Sequence, residues 1–170
     1  PFSYRETIDH PKLQGIRVPW NQKNEIEKVL KALDDYDPEG EKPLHVFGSS
    51  VLFHYLEDRE PYGSPYPTRN QLSRGEYHFS LLESMAQFGN DNLPVIIFGR
   101  TNTAYDFRDD DRMALARRIE KQQSYGGKKN EFISFVRYFN YGVYYESDYY
   151  LVLVPFTDMK PGDTESMIRG

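Results

Sequence analysis

Two short stretches of the sequence combine an apolar run with a glycine and polar residues that could bind an anion. Val46-Phe47-Gly48-Ser49-Ser50 and Ile97-Phe98-Gly99-Arg100-Thr101 each end an apolar run with Phe-Gly. Glycine lets a backbone approach a ligand closely, hydroxyl and main-chain N–H groups donate hydrogen bonds, and Arg100 adds a positive charge that suits phosphate or carboxylate. The predicted ligand-binding residues are Gly48, Ser49, Ser50, Gly99, Arg100, Thr101 and Asn102.

The same two glycines have a simpler interpretation, because a glycine after a strand is a common way for a chain to turn. Gly48-Ser49-Ser50 also has the first half of a serine nucleophile elbow, and His54 follows one helical turn after Ser50. The second glycine of that motif is absent, with Leu52 in its place, and a base so close along one helix lacks the usual arrangement. We therefore predict no catalytic serine, and whether the chain is an enzyme, such as a transferase or a hydrolase, stays open.

Side chains that could bind a metal give no clear pattern. A group of aspartates could hold Mg²⁺ beside a phosphate at Gly99, but the solvated acidic first turn of a helix explains the same residues. These aspartates are Asp106, Asp109, Asp110 and Asp111. The histidines are His10, His45, His54 and His78, and each is expected to have an ordinary hydrogen-bond partner. They lack zinc spacing and the chain has no cysteine, so we predict no metal site and leave the cofactor open.

A basic stretch lies beside an aromatic one in the second half of the chain. The basic residues fall between 112 and 137, and the aromatic residues between 132 and 145. Aromatic rings on a sheet near cations can stack on nucleic-acid bases. The net charge of -5 opposes binding to nucleic acid through the whole surface, and packing of the rings as sheet core is the better explanation of the aromatic residues. A phosphate-bearing small molecule is therefore the favoured partner, and nucleic acid is less favoured.

The tyrosines point to a second kind of function. The chain holds 14 tyrosines, and several fall in the region near 138–150 that is predicted to be rich in strands. An open, Tyr-rich sheet edge there, together with the proline-rich loop of residues 58–72, could be a contact surface for a protein partner. The alternative to a ligand-binding domain is therefore a non-enzymatic interaction or assembly module, a subunit of a larger complex.

The periodicity of the sequence predicts the elements that hold these residues. Apolar spacing predicts a helix over 24–36 and a short buried helix over 51–56. A capping box at Ser73 and Glu76 begins another helix, which Gly89 ends, and a further helix is predicted over 109–123. Continuous apolar runs predict strands at about 44–48 and 94–99. Aromatic and β-branched residues predict two or three strands over 131–156.

This order of elements predicts a three-layer α/β domain whose mixed sheet has a parallel centre and an antiparallel C-terminal edge. The helices between the strands at 44–48 and 94–99 are long enough for a right-handed crossover, so these two strands should be parallel. Residues 1–20 are expected to form an N-terminal arm anchored by Trp20, residues 21–157 the single domain, and residues 158–170 a C-terminal tail.

Composition and length fit one soluble domain. With 170 residues, of which 38% are hydrophobic and 28% charged, folding should bury about 70% of the surface of the unfolded chain. The mean hydropathy of -0.74 indicates a polar surface, and no apolar run is long enough to cross a bilayer, so no membrane partner is expected.

The lack of cysteine suits a reducing compartment, and we expect a cytoplasmic protein. Because the sequence starts at Pro1, we expect a processed chain or part of a longer protein.

Overall fold

The fold is seen in a computed structural model that describes residues 5–48, 52–65, 73–100 and 128–158. The described residues form helices and strands, with two short 3-10 helices, Pro11–Leu13 between the first two strands and Phe156–Asp158 after the last. The elements are β1 Arg5–Thr7, β2 Arg17–Pro19, α1 Trp20–Tyr36, β3 Leu44–Phe47, α2 Leu52–Glu57, α3 Arg74–Phe88, β4 Val95–Gly99, α4 Lys128–Tyr138, β5 Tyr141–Glu146 and β6 Tyr150–Pro155.

The main sheet has four strands in the order β3-β4-β6-β5. β3 and β4 are parallel, with Leu44 opposite Val95 and Phe47 opposite Phe98. β6 is antiparallel to β4 on one side and to β5 on the other. The predicted α/β class, with a parallel pair of strands and antiparallel C-terminal strands in one mixed sheet, is confirmed.

The two faces of this sheet pack against different helices, because successive side chains of a strand point to opposite faces. One face packs against α3 and α4, and the other against α1 and α2. The strand residues of the first face are Phe47, Ile96, Phe98, Leu151 and Leu153. Those of the second face are Leu44, Val46, Val95, Ile97, Val152 and Val154. The sheet is thus the middle of three layers, and every residue of β4 is buried.

The helix α3 begins and ends where the sequence predicts. The side chain of Ser73 accepts a hydrogen bond from the main-chain N–H of Glu76, and the carboxylate of Glu76 accepts one from the N–H of Ser73 at 2.7 Å. Gly89 ends the helix with a φ of 73°, a conformation that favours glycine. Tyr77, Leu81 and Ser84 form the buried side of the helix.

The prediction of strands over the whole of 131–156 is wrong in its first part, because residues Lys128–Tyr138 form α4. The buried residues of α4 are Phe132, Ile133, Phe135 and Val136. Their spacing of one, three and four residues places them on one side of a helix. Their aromatic and β-branched character favoured a strand, and packing against the sheet decided for the helix. The remainder of the segment forms β5 and β6, as predicted.

The N-terminal segment is held to the domain by residues other than Trp20. β1 and β2 form a two-stranded antiparallel sheet, and Ile8 and Leu13 between them are each 3% exposed within the core. Trp20 is 54% exposed, so the prediction that it anchors the segment is wrong. It is instead the first residue of α1, which begins four residues earlier than the predicted helix over 24–36.

Residues 60–62, in the loop that follows α2, run along the outer edge of β3. The N–H of Leu44 donates to the carbonyl oxygen of Glu60, and the N–H of Tyr62 donates to the carbonyl oxygen of Leu44, both at 2.9 Å. The loop therefore covers this edge of the sheet.

The predicted helix over 109–123 and residues 159–170 of the predicted tail lie outside the described residues. Among the helices that are described, none has the length and apolar character needed to cross a membrane.

Candidate functional site

The carboxyl ends of β3 and β4 lie side by side, as the predicted site requires. Phe47 is opposite Phe98 in the parallel register, so Gly48 and Gly99, which follow them, are brought to the same edge of the sheet. Gly48 has a φ of 129°, which L side chains rarely adopt, and here the chain leaves the sheet. Gly99 does not turn, because it stays in β4 opposite Tyr150 of β6.

Arg100 is a buried cation at this edge. Its side chain is 4% exposed, and its guanidinium donates a hydrogen bond to the carbonyl oxygen of Ser147 and lies 3.4 Å from Oε1 of Glu146. Its main-chain N–H donates to the carbonyl oxygen of Tyr149 at 2.9 Å. The connection between β5 and β6 thus fixes both the backbone and the side chain of Arg100, and the N–H that was expected to face a ligand has a partner within the chain.

The first turn of α1 lies at the same edge. Nδ2 of Asn21 donates to the hydroxyl of Tyr149 at 3.1 Å, and Tyr149 also accepts the main-chain N–H of Arg100. The residue before the helix, Pro19, provides no side-chain hydrogen bond to the first turn. Tyr149 therefore links the first turn of α1 to the segment that holds the backbone of Arg100.

The structure therefore brings together Gly48, Gly99 and Arg100. The other predicted site residues lie outside the described residues: Ser49, Ser50, Thr101 and Asn102. Sequence reasoning missed the contacts of Arg100 with Glu146, Ser147 and Tyr149, and the hydrogen bond of Asn21 to Tyr149. A run such as Glu146-Ser147-Asp148 predicts a turn, and nothing in its local pattern indicates that it meets a residue near position 100.

His45 is a structural residue of the core rather than a catalytic one. It is completely buried, with Nδ1 2.8 Å from the carbonyl oxygen of Tyr62 and Nε2 2.9 Å from the hydroxyl of Tyr77. A carbonyl oxygen can only accept, so Nδ1 carries the proton and Nε2 accepts the hydroxyl proton of Tyr77. Burial lowers the pKa of His45 to about 4, and the imidazole is therefore neutral near pH 7.

His54 on α2 differs from the expectation that each histidine has a partner. Both of its ring nitrogens are buried, and neither has a hydrogen-bond partner among the residues that the structure describes. Burial lowers the pKa of His54, because the charged form would lose its hydration. Ser50, which the sequence places one helical turn before His54, lies outside the described residues, so no nucleophile is seen beside this imidazole.

The structure gives no support for a metal centre among the residues that it describes. Asp106, Asp109, Asp110 and Asp111 lie outside those residues. Elsewhere, within the four described ranges, no three histidine, aspartate or glutamate side chains are grouped as a metal ion would require.

A shallow cavity of about 420 Å³ lies elsewhere, between α3 and residues 60–65. Its charged lining residues are the acidic Glu60 and Glu83, and its polar ones include Ser84 and Gln87. Pro61, which also lines the cavity, forms a bridge with Leu44 at the start of β3. The cavity is therefore near the end of β3 opposite to Gly48. Carboxylates repel an anion, and this cavity is therefore not the predicted site.

Comparison with known proteins does not add a function to this geometry. No protein-family model, curated protein or solved structure matches the chain.

Proposed function

We propose that the edge formed by the carboxyl ends of β3 and β4 binds a small anionic ligand that carries a phosphate, such as a nucleotide. The observation that carries the proposal is the buried guanidinium of Arg100, whose side chain is 4% exposed, directly after Gly99. Ligands of open α/β sheets sit beyond the carboxyl ends of parallel strands. A cation fixed at that position suits an anion, and the glycines allow its close approach.

The contact between Arg100 and Glu146 leaves room for exchange with a ligand. Charge-assisted hydrogen bonds of guanidinium groups are usually about 2.7–2.9 Å long, whereas this pair is 3.4 Å apart. The Glu146 side chain is 31% exposed, so it lies at the surface, where an anion from solvent can compete with it for Arg100.

The proposal concerns binding and leaves the reaction open. Phosphate sites at strand ends serve transferases and hydrolases as well as proteins that only bind. At the described part of this edge, no side chain forms a nucleophile and base pair. A transferase or hydrolase activity would therefore depend on residues outside the described ranges.

The test is a thermal-shift screen of nucleotides and sugar phosphates, followed by calorimetric titration of any ligand that raises the melting temperature. A ligand at about a hundred times its dissociation constant stabilises the folded state by about 2.7 kcal/mol, which is easily seen. Arg100→Gln should then weaken binding by about 1.5–3 kcal/mol, the usual value of a charged hydrogen bond. Arg137→Gln, at an exposed arginine of α4, is the matched control and should bind normally. If no phosphate compound stabilises the unmodified protein, the proposal fails.

The second candidate is an interaction module, and one observation favours it. Residues 60–62 cover the outer edge of β3, whereas no described strand pairs with the outer side of β5 at the other end of the sheet. Three of its six residues are tyrosines, but Tyr141 is buried and Tyr144 and Tyr145 pack partly against the core, so the open backbone edge rather than the tyrosine rings favours this candidate. A strand edge of this kind can pair with an extended segment of a partner protein.

Sedimentation velocity over a wide range of protein concentration tests this second candidate. The module hypothesis expects either self-association or a complex with a partner, and Val143→Lys, a charge on the edge strand, should weaken it. Because the Val143 side chain also packs against the core, thermal melts must show that this variant is folded. Tyr138→Lys, on the exposed side of α4, is the control. Association that is equal in both variants would exclude β5 as the contact.

A further inference from the structure

We infer that Glu146 is a competitor for Arg100 built into the chain, and that it makes the site selective for doubly charged phosphate monoesters over carboxylates. The inference rests on the anion site proposed above. It begins from the direct contact of the two side chains, Nη2 of Arg100 and Oε1 of Glu146, at 3.4 Å. A ligand anion at Arg100 must take the place of this carboxylate.

The two partners differ in how firmly they are held. The Arg100 side chain is 4% exposed and also donates to the carbonyl oxygen of Ser147, so its position is fixed. Glu146 is the last residue of β5, and its side chain is 31% exposed. Replacement of Glu146 by an anion therefore requires its partly exposed side chain to rotate, while the buried guanidinium stays in place.

Tethering gives Glu146 an advantage over any free carboxylate. A group held by a short link competes as if it were present at roughly millimolar concentration or above. A free monocarboxylate has the same charge as Glu146 and makes the same kind of bond. It can therefore displace Glu146 only when its own concentration exceeds the effective concentration of the tethered carboxylate. A phosphate monoester carries about −1.5 to −2 charges near pH 7 and can accept two hydrogen bonds from one guanidinium. Phosphate monoesters can therefore displace Glu146 at concentrations at which carboxylates cannot.

Phenyl phosphate and benzoate are suitable probes, because they share a ring and differ in the anionic group. Calorimetric titration of the unmodified protein should detect binding of phenyl phosphate and none of benzoate below roughly millimolar concentration. In Glu146→Gln the competitor is removed, so phenyl phosphate should bind about tenfold tighter or more and benzoate should bind measurably, as expected for the loss of one charged contact. Asp148→Asn removes a carboxylate two residues away and should leave both affinities unchanged.

The outcomes separate this inference from the proposal on which it rests. If phenyl phosphate binds the unmodified protein and Glu146→Gln equally, and benzoate binds neither, the selectivity role of Glu146 is overturned while the anion site stands. If neither probe binds either protein, the anion site itself fails. Thermal melts check that Glu146→Gln is folded. If it is not, Glu146→Asp keeps the charge on a shorter side chain, and an unchanged ratio of the two affinities in that variant also overturns the inference.

Discussion

The rings of Phe47 and Phe98 stack with their centroids 5.6 Å apart and their planes inclined by 5°. They occupy paired positions at the carboxyl ends of two parallel strands, and both are almost fully buried. Phe132 of α4 stacks on both rings, at 4.3 Å and 5.5 Å. This aromatic cluster fixes the register that brings Gly48 beside Gly99, so the geometry of the candidate site depends on core packing directly beneath it.

Truncation of one of these rings should be costly. We expect Phe98→Ala to lower the free energy of unfolding by about 3–5 kcal/mol, because it leaves a cavity beneath the strand ends. Phe79→Ala removes the same group from α3, where the side chain is 61% exposed, and should change stability by about 0.5 kcal/mol or less. Urea unfolding of both variants measures the difference, and equal losses would mean that Phe98 does not pack as described.

Acid should destabilise the fold through His45. Its pKa is lowered to about 4 by burial, whereas an unfolded histidine titrates near 6.5, so the unfolded chain binds the additional proton between these values. The stabilisation is complete above pH 6.5 and is lost as the pH falls towards 4. At about 1.36 kcal/mol for each pH unit between the two values, the loss reaches about 3 kcal/mol.

Unfolding free energies measured from pH 7.5 to pH 4.5 should therefore decline, and the decline should be shallower in His45→Gln. His54, whose pKa is also lowered by burial, contributes in the same direction and leaves a residual slope. The imidazole signal of His45 in NMR spectra provides a direct check. A midpoint close to 6.5 in the folded protein would contradict this account.

A buried ion cluster should stabilise the start of β3. The Arg59 side chain is 2% exposed and contacts the carboxylates of Asp37 and Glu57, which are 12% and 10% exposed. Arg59→Met leaves these carboxylates without their cation, and we expect a loss of about 3–5 kcal/mol. Arg17→Met, at an exposed arginine of β2, is the control. If chemical denaturation gives Arg59→Met the stability of the unmodified protein, the ion cluster contributes nothing.

The capping box of α3 provides a smaller test. Ser73→Ala removes the acceptor for the N–H of Glu76 and should cost about 1 kcal/mol. Ser73→Asp keeps an acceptor at the same position and should retain most of the stability. Thermal unfolding of the two variants under the same conditions distinguishes them. Equal melting temperatures would show that the hydrogen bond to Ser73 does not stabilise the helix.

The sequence predicted those parts of the fold whose signals are local. The capping residues Ser73 and Glu76 locate α3, and the apolar runs at Leu44–Phe47 and Val95–Gly99 locate the parallel strands. The helix α4 was predicted as strand, because residue type and helical spacing indicate different structures in Phe132–Val136. The choice between strand and helix for these residues depends on how they pack against the face of the sheet.

The candidate site could be predicted only in part, for a similar reason. Phe-Gly at two strand ends identifies the edge, but the environment of Arg100 comes from Glu146 and Ser147, more than forty positions later in the chain. Which carboxylate meets a given arginine depends on the order of the strands. Here β6 lies between β4 and β5, and the order of strands in a sheet cannot be predicted from sequence periodicity.

The segment that runs along β3 also limits how copies of this protein can join. Residues 60–62 use the hydrogen-bonding groups of Leu44 on the outer side of β3, and Pro61 among them has no N–H to offer a further strand. Within the main sheet this segment hinders pairing of another strand at the Leu44 end of β3, whereas no described strand pairs with the outer side of β5. If copies of the main sheet pair through β5 alone, we expect a closed two-fold dimer, because a fibre needs two such edges on each copy.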